Sequence, residues 1–299
     1  MTSGGERVFL HTSDLAERWA SLKISNFTLG EIGFGCGLNF LSAWSQWLKL
    51  AAKDGRLDFV CIDKHPLSRR EIGQVLAAEP LLNDLSSQLL KQYPDYLYEG
   101  FHRLSFAEGR VNLTLIVADT PTGLNQLQSS AHPQFKNRAN CIDAWLLKDT
   151  ESADELRQNL DDCGFSNKKA ATFEEGAYNC PHPPPWDIPK TRQVVQARTA
   201  LIIGGGIAGC HTARALANRG YQVTLLETAD TLASQGSGNP QGVLYGKLSP
   251  REETLAEYNL SALAYGQRAY QDFWLSQPEF GQQCGVLQLA HTAKEAKLH

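Results

Sequence analysis

The feature that most constrains the fold is a glycine-rich turn at residues 204–209, which lies between two short apolar segments. The first segment, 199–203, leads directly into the turn, and the second, 222–226, is followed at once by Glu227. The stretch between them is rich in alanine, which favours a helix. Strand, glycine turn, helix, strand and acidic residue, in this order, form the fingerprint of a dinucleotide-binding βαβ unit.

The glycines of this fingerprint have separate roles. Gly204 allows the tight turn, Gly206 lets a pyrophosphate approach the backbone at the helix N-terminus, and Gly209 lets the helix pack closely. Glu227 is placed to accept hydrogen bonds from ribose hydroxyl groups. The cofactor contacts predicted here are Gly204, Gly206, Ile207, Ala208, Gly209 and Glu227.

Length and composition indicate a folded protein of about two domains, since the chain has 299 residues, 42% hydrophobic and 20% charged. The formal net charge of −4 gives no general attraction to nucleic acid, so such a partner would need a local basic patch. A solvated face is the simpler interpretation for each candidate member of such a patch, namely Lys91, Arg103, Arg110, Lys136 and Arg138.

The cysteines indicate a reduced, cytoplasmic protein, because they are seven in number and scattered, with no C-x-x-C pair. We expect no metal site, since His65 and His102 have no partners at metal-ligand spacing. We also expect no membrane segment, because no run reaches about 18 apolar residues.

The proline-rich stretch 181–198 predicts a linker between residues 1–180 and 199–299. The first of these parts alternates strands and helices, which predicts a parallel sheet with its ligand at the carboxyl ends of the strands. Strands are predicted at 27–32, 57–63, 111–119 and 141–147, and helices at 38–50 and 66–90, the second with a break at Pro80.

A second glycine loop, of the form E-x-G-x-G-x-G, occupies residues 31–37. Its pattern, with Asp63 ending the next strand and Asp119 the third, looks like the S-adenosylmethionine (SAM) site of class I methyltransferases. The alternative is an ordinary strand–helix turn with acids that cap helices. The SAM contacts predicted here are Glu31, Gly33, Gly35, Gly37, Asn39, Asp63 and Asp119.

Taken together, the two halves resemble the bifunctional tRNA 5-methylaminomethyl-2-thiouridine biosynthesis enzymes of bacteria. The resemblance implies an α/β fold: an incomplete class I methyltransferase Rossmann-like domain, then a partial FAD-binding Rossmann domain like that of D-amino-acid oxidase. The motifs that carry it lie at 7–10, 14–19, 30–41, 63–67, 100–104, 143–147, 202–209, 236–245 and 284–289.

The resemblance also implies an enzyme with two activities on the wobble uridine of the tRNA anticodon loop, acting as a monomer in the cytoplasm. An FAD-dependent oxidoreductase would remove the carboxymethyl group of 5-carboxymethylaminomethyl-2-thiouridine, and a SAM-dependent methyltransferase would methylate the amine left behind. Asp143 is the implied catalytic residue. The further FAD contacts that it implies are Ser237, Gly238, Asn239, Gln241 and Gly242.

The chain departs from the family in three places, and one of them is the family's Lys-Arg-Glu-Met stretch before the linker, which has no clear match at residues 167–175. The family continues after Leu147 with Asp-Gly-Phe-Ala-Pro, whereas Lys148 stands at the first of these positions, and the flavin part stops at His299. Two alternatives therefore remain. One is a truncated remnant that binds a nucleotide cofactor without catalysis, and the other is an unrelated NAD- or FAD-dependent oxidoreductase.

Overall fold

The computed structural model describes residues 15–22, 26–129, 142–146, 158–160, 162, 165–166, 173–174, 177–178, 198–246, 254–287 and 289–297. Contacts divide the chain into two units, Met1–Gly238 and Asn239–His299. The predicted linker lies outside the described residues except for its last residue, Arg198.

The first unit contains a six-stranded sheet with the order β3-β4-β2-β1-β5-β7. Strands β1, β2, β4 and β5 are parallel, as the alternation of strands and helices predicts, while β3 and β7 are antiparallel to their neighbours. A separate antiparallel pair joins β6 and β8. The strands are β1 (Asn26–Ile32), β2 (Arg56–Asp63), β3 (Gly100–Phe106), β4 (Val111–Val117), β5 (Ala144–Leu146), β6 (Phe165–Ser166), β7 (Phe173–Glu174) and β8 (Ala177–Tyr178).

Helices connect these strands, and the one predicted at 38–50 is confirmed with those bounds. The helical segment predicted at 66–90 is interrupted at Pro80, as predicted, because Pro80 begins a 3-10 turn at Pro80–Leu82 that separates two helices. The helices are α1 (Leu15–Ser21), α2 (Leu38–Leu50), α3 (Arg69–Leu76), α4 (Asn83–Gln92) and α5 (Thr120–Ser129), with a second 3-10 turn at Ala107–Gly109.

The strand predictions differ from the structure in three respects, and the first is that β5 begins at Ala144, inside the predicted span 141–147. Strand β4 ends at Val117, so that Asp119 lies beyond it, before α5. Strand β3 is not among the predicted strands, because its side chains do not follow the pattern of apolar residues inside and polar residues outside. The polar His102 lies on the inward face, whereas the apolar Phe101 is 42% exposed. The His102 ring forms a hydrogen bond with the Tyr98 carbonyl oxygen at 2.7 Å, which explains how this polar residue is buried.

The core of this sheet is aromatic and centres on α2. Phe40 is fully buried, and its ring centroid lies 5.7 Å from that of Trp44, 5.3 Å from Phe59 and 5.7 Å from Phe106. On β1, a Cβ at Gly30 would lie 2.5 Å from Cε3 of Trp145, so the glycine makes room for the indole.

The predicted βαβ unit is confirmed as β9 (Thr199–Ile203), α6 (Ile207–Ala217) and β10 (Gln222–Leu226), and its two strands are parallel. Its apolar side chains are far less covered than those of the larger sheet. Leu201 is 59% exposed and Ile203 is 84% exposed, and α6 has no buried residue.

The second unit is helical in its described part. It contains α7 (Thr254–Ser276), a 3-10 turn at Pro278–Phe280 and α8 (Ala293–Ala296). The rings of Tyr270 and Trp274 stack on α7 with centroids 5.2 Å apart. No helix among the described residues of either unit is long and apolar enough to cross a membrane.

We expect Phe40→Ala to lower the free energy of unfolding of the larger sheet by about 3–5 kcal/mol, because it leaves a cavity among three aromatic rings. Leu48→Ala on the same helix is the control, since Leu48 is already 37% exposed. Urea unfolding followed by tryptophan fluorescence measures both. Equal destabilisation of the two variants would contradict the placement of the core.

Candidate nucleotide-binding sites

The first glycine turn joins the carboxyl end of β1 to α2. Gly33, Gly35 and Gly37 have φ angles of 80°, 55° and 79°, in the left-handed region that residues with a side chain rarely adopt. A Cβ on Gly37 would also lie 2.8 Å from Cζ of Phe34. The backbone path itself therefore requires the alternating glycines of the motif.

Glu31 and Asn39 fix the two ends of this turn to each other. The Asn39 side-chain amide donates to Glu31 Oε1 at 2.7 Å, and both residues are buried. A buried carboxylate needs such a donor. Glu31 and Asn39 are both predicted SAM contacts, and in the structure the hydrogen bond between them stabilises the shape of the turn.

Asp63 lies beside the same turn, as predicted. The Phe34 N–H donates to Asp63 Oδ2 at 2.8 Å, and the His65 N–H donates to Oδ1 at 2.9 Å. Each carboxylate oxygen has a second lone pair, so Asp63 keeps the capacity to accept from the hydroxyl groups of a ribose. The carboxylate thus positions the turn and offers acceptors at its edge.

Asp119 is exposed and caps α5. Its Oδ1 accepts a hydrogen bond from the Thr122 N–H at 2.9 Å. The Thr122 hydroxyl and N–H, with a further effect of Lys64, lower the pKa of the Asp119 carboxyl below its ordinary value. The contact observed for Asp119 is therefore that of a helix cap. Asp119 lies at the same carboxyl edge of the sheet as Asp63.

Asp143 lies at the opposite edge of the sheet, beside the amino end of β5. Its Oδ2 accepts from the Thr28 N–H at 2.7 Å, and its own N–H donates to the Thr28 carbonyl at 2.8 Å. Thr28 lies four residues before the carboxyl end of β1. At roughly 3.3 Å per residue, Thr28 is about 13 Å from the end of the strand where the glycine turn begins. The structure does not bring Asp143 to the glycine turn, and this contact favours a role in strand pairing. Lys148 lies outside the described residues.

Tyr93 supports the turn, although no sequence motif predicts it. Its ring stacks on Phe34 with centroids 6.1 Å apart, and its hydroxyl donates to the Leu67 carbonyl at 3.1 Å. Burial raises the pKa of this hydroxyl. A lone tyrosine after a helix has no motif around it, so the sequence offers no signal for this contact.

The second glycine turn joins β9 to α6. Gly204 has φ 99°, and a Cβ placed on it would meet nothing within 4 Å, so its outer side is open to a ligand. A Cβ on Gly209 would lie 1.8 Å from the Gly204 carbonyl oxygen. The third glycine is therefore required by close packing of the helix on the turn, as the fingerprint predicts.

Glu227 holds this turn from the end of the neighbouring strand. The Gly205 N–H donates to Glu227 Oε2 at 2.7 Å, while the N–H groups of Thr228 and Ala229 donate to Oε1 at 2.7 and 3.1 Å. These three donors, led by Gly205, lower the pKa of the Glu227 carboxyl. Gly205 is not among the contacts that the fingerprint predicts.

Ser237 reaches the N-terminus of α6, where the fingerprint predicts a pyrophosphate. The Ile207 N–H in the first turn of that helix, which also contains Ala208, donates to Ser237 Oγ at 3.1 Å. A Cβ on Gly238 would lie 1.9 Å from the Ala233 carbonyl oxygen, so this 3-10 turn also needs its glycine. The remaining predicted contacts lie in an exposed loop at the start of the second unit, namely Asn239, Gln241 and Gly242.

The lowered pKa of Glu227 makes the second turn sensitive to acid. The stability that the ionised Glu227 carboxylate contributes is complete above its ordinary pKa of 4.5. This stability is lost as the pH falls through the lower pKa of the folded state. We expect the amide resonance of Gly205 to titrate with a midpoint below pH 4.5 in NMR spectra. Glu227→Gln should abolish this transition, and a midpoint at or above the ordinary value would contradict the hydrogen-bonded geometry.

Metal binding has no candidate among the described residues, since no three His, Cys, Asp or Glu side chains there are grouped to hold an ion. Both glycine turns present backbone at the carboxyl end of a parallel strand, next to a helix N-terminus and a carboxylate.

Residues 199–299 match the family model described as FAD dependent oxidoreductase. A solved structure, MNMC2 from Aquifex Aeolicus, is 17% identical with a TM-score of 0.37, over 61% of this chain and 63% of that chain. A TM-score this low does not establish a shared fold.

Curated relatives align with nearly the whole chain. The tRNA 5-methylaminomethyl-2-thiouridine biosynthesis bifunctional protein MnmC of Chromobacterium violaceum is 40% identical over 321 residues, covering 97% of this chain and 48% of the relative. The MnmC proteins of Pseudomonas savastanoi and Pseudomonas aeruginosa are 36% and 38% identical, with the same coverage. The chain is therefore a homologue of these bifunctional proteins, and it spans about half the length of the curated relatives it matches.

Proposed function

We propose that this chain is the cofactor-binding part of a tRNA wobble-uridine modification enzyme, with SAM at the first glycine turn and FAD at the second. The observation that carries the proposal is the repeated geometry of the two turns. In each, a loop N–H donates to the carboxylate that ends the neighbouring strand, Asp63 in one sheet and Glu227 in the other. The relatives' printed name, a bifunctional tRNA biosynthesis protein, supplies the substrate class.

The residues at the first turn fit SAM. The three left-handed glycines keep side chains away from the loop, which leaves its backbone accessible, and Asp63 retains lone pairs for ribose hydroxyl groups. When bound, SAM supplies an electrophilic methyl group for transfer to an amine. Of the chain's own residues, Glu31 and Asn39 preserve the shape of the loop.

The residues at the second turn fit the adenine dinucleotide part of FAD. The open side of Gly204 and the N-terminus of α6 suit a pyrophosphate, and Ser237 already places a hydroxyl oxygen on the N–H of Ile207. Bound FAD supplies a hydride acceptor. Glu227 holds the turn and is the acceptor for a ribose.

The proposed substrate is 5-carboxymethylaminomethyl-2-thiouridine at the wobble position of a tRNA. The flavin half would remove the carboxymethyl group, and the methyltransferase half would then methylate the amine to give 5-methylaminomethyl-2-thiouridine. In this proposal, the described residues at the two turns bind the cofactors of both steps.

A second candidate function is cofactor binding without turnover. The observation that favours it is the position of Asp143, whose carboxylate is bonded to Thr28 at the edge opposite the glycine turn. In this case the chain would bind SAM or FAD and transfer no methyl group to tRNA. A methyl-transfer assay on tRNA carrying the aminomethyl uridine distinguishes the two functions.

SAM binding is tested first by isothermal titration of the purified chain. We expect Gly35→Asp to weaken it by about ten- to a hundredfold, because a side chain in the left-handed region costs about 1–3 kcal/mol. Gln74→Asp on α3 is the control, since it adds the same charge at an exposed helical position. Equal affinity in Gly35→Asp and the unmodified chain would overturn the assignment.

Flavin binding is tested by the absorbance of the same sample after addition of FAD. We expect Gly209→Ala to abolish bound flavin, because the new methyl group would collide with the Gly204 carbonyl oxygen and displace the turn. Gly73→Ala is the control, since a Cβ there makes an ordinary contact 3.6 Å from Leu90. Retention of flavin by Gly209→Ala would show that the site lies elsewhere.

A further inference from the structure

Residues 228–238 follow Glu227 and pass back across the second glycine turn. Most of their side chains are exposed, and only Ala233 and Ser237 are half-buried. Both of these residues form hydrogen bonds with the turn or with the helix that it begins. We refer to residues 228–238 as the strap.

The strap first contacts the turn at Gly205. The Ala233 N–H donates to the Gly205 carbonyl oxygen at 3.0 Å. A Cβ on Gly205 would lie 2.6 Å from Cδ2 of Leu232, so the absence of a side chain lets the strap come close. The Gly205 N–H donates to Glu227, and Gly205 therefore joins the strap to the end of β10.

The second contact lies where the fingerprint predicts a pyrophosphate. Ser237 Oγ accepts from the Ile207 N–H at 3.1 Å, at the N-terminus of α6. A Cβ on Gly206 would lie 3.0 Å from the same Oγ, so the hydroxyl lies over the bare backbone of this glycine. Gly206 and the α6 N-terminus are the two features that bring a phosphate to this turn.

The Ile207 N–H cannot serve a phosphate and the Ser237 hydroxyl together. A hydrogen bond of normal geometry places the acceptor about 2.9 Å from the nitrogen and close to the N–H direction, and two oxygen atoms cannot share that position. A phosphate that accepts from Ile207 must therefore replace Ser237 Oγ. Because Ser237 is only half-buried, its displaced hydroxyl can turn to solvent.

The backbone of the strap favours its displacement. Ala233 has φ 56°, in the left-handed region that residues with a side chain rarely adopt. A Cβ on Gly238 would lie 1.9 Å from the Ala233 carbonyl oxygen, so the 3-10 turn that contains Ser237 packs against this residue. Loss of the Ser237 contact would therefore release part of what holds Ala233 in a strained conformation.

We propose that the strap controls access to the phosphate position of the second turn, because Ser237 holds the Ile207 N–H until a dinucleotide displaces it. The inference rests on the proposed function, since it takes this turn as the FAD site. It gives Ser237 a different role from the direct FAD contact that the family resemblance implies. A direct contact adds to affinity, whereas a competing hydroxyl lowers the apparent affinity, because only molecules with a displaced strap can bind.

Stopped-flow measurement of FAD binding to the full chain separates the two roles. We expect Ser237→Ala to bind FAD about three- to tenfold faster and more tightly, because one hydrogen bond no longer opposes displacement. The dissociation rate should stay unchanged. Ser234→Ala is the control, since Ser234 is an exposed serine on the same strap and should bind as the unmodified chain does. An unchanged or lower affinity in Ser237→Ala would overturn the proposal.

The amide resonance of Ile207 in NMR spectra gives a readout that needs no flavin. We expect Ser237→Ala to move this resonance and to speed its exchange with water, while Ser234→Ala leaves it in place. Inorganic pyrophosphate should shift the resonance at about three- to tenfold lower concentration in Ser237→Ala than in the unmodified chain. Equal concentrations in the two chains would also overturn the proposal.

The two measurements distinguish failure of the strap from failure of the proposed function, and circular dichroism checks that each variant is folded. If FAD binds equally to Ser237→Ala and the unmodified chain, the strap does not control access and the proposed FAD site stands. If pyrophosphate binds more tightly to Ser237→Ala but FAD binds neither chain, the strap stands and the FAD site fails. If neither probe affects Ile207, both proposals fail.

Discussion

Both glycine turns depend on one interaction, a loop N–H that donates to a carboxylate on the neighbouring parallel strand. Phe34 donates to Asp63 in the first sheet and Gly205 donates to Glu227 in the second. Because β1 lies beside β2 and β9 beside β10, the acid that ends the second strand of each pair meets the loop that follows the first. This bond therefore fixes the loop that leads into each following helix.

The same hydrogen bond changes the role that we assign to Asp63 and Glu227. In a sequence, an acid at the end of the second strand indicates a ribose acceptor. In the structure it first accepts hydrogen bonds from the polypeptide, and the proposed ribose contact would use the lone pairs that remain. A carboxylate fixed in this way loses little freedom when a ligand arrives, so the turn and its acceptor are prepared before binding.

The sequence was sufficient where local chemistry decides the structure. Helix α2 and the β9–α6–β10 unit follow from glycines and apolar periodicity, and both have the predicted bounds or order. It was insufficient for contacts between distant segments. Nothing near Asp143 indicates that its carboxylate would accept from Thr28, 115 residues earlier, or that it would lie at the amino edge.

Strand β3 was missed because its inward face is not uniformly apolar. The inward face of β3 includes His102, whose burial depends on a hydrogen bond to Tyr98 that composition does not reveal. Of the basic residues singled out from the sequence, Arg103 is paired with Asp58, and Arg110 donates to the Ala52 carbonyl.

The exposed apolar side chains of β9 have a consequence for how this part of the chain behaves. Leu201 and Ile203 are 59% and 84% exposed, so little buried surface opposes local opening of the β9–α6–β10 unit. A ligand that binds only the closed form stabilises it by mass action. A dinucleotide bound at the second turn would therefore shift this unit toward its closed form, so that binding of the cofactor and closing of the unit would be coupled.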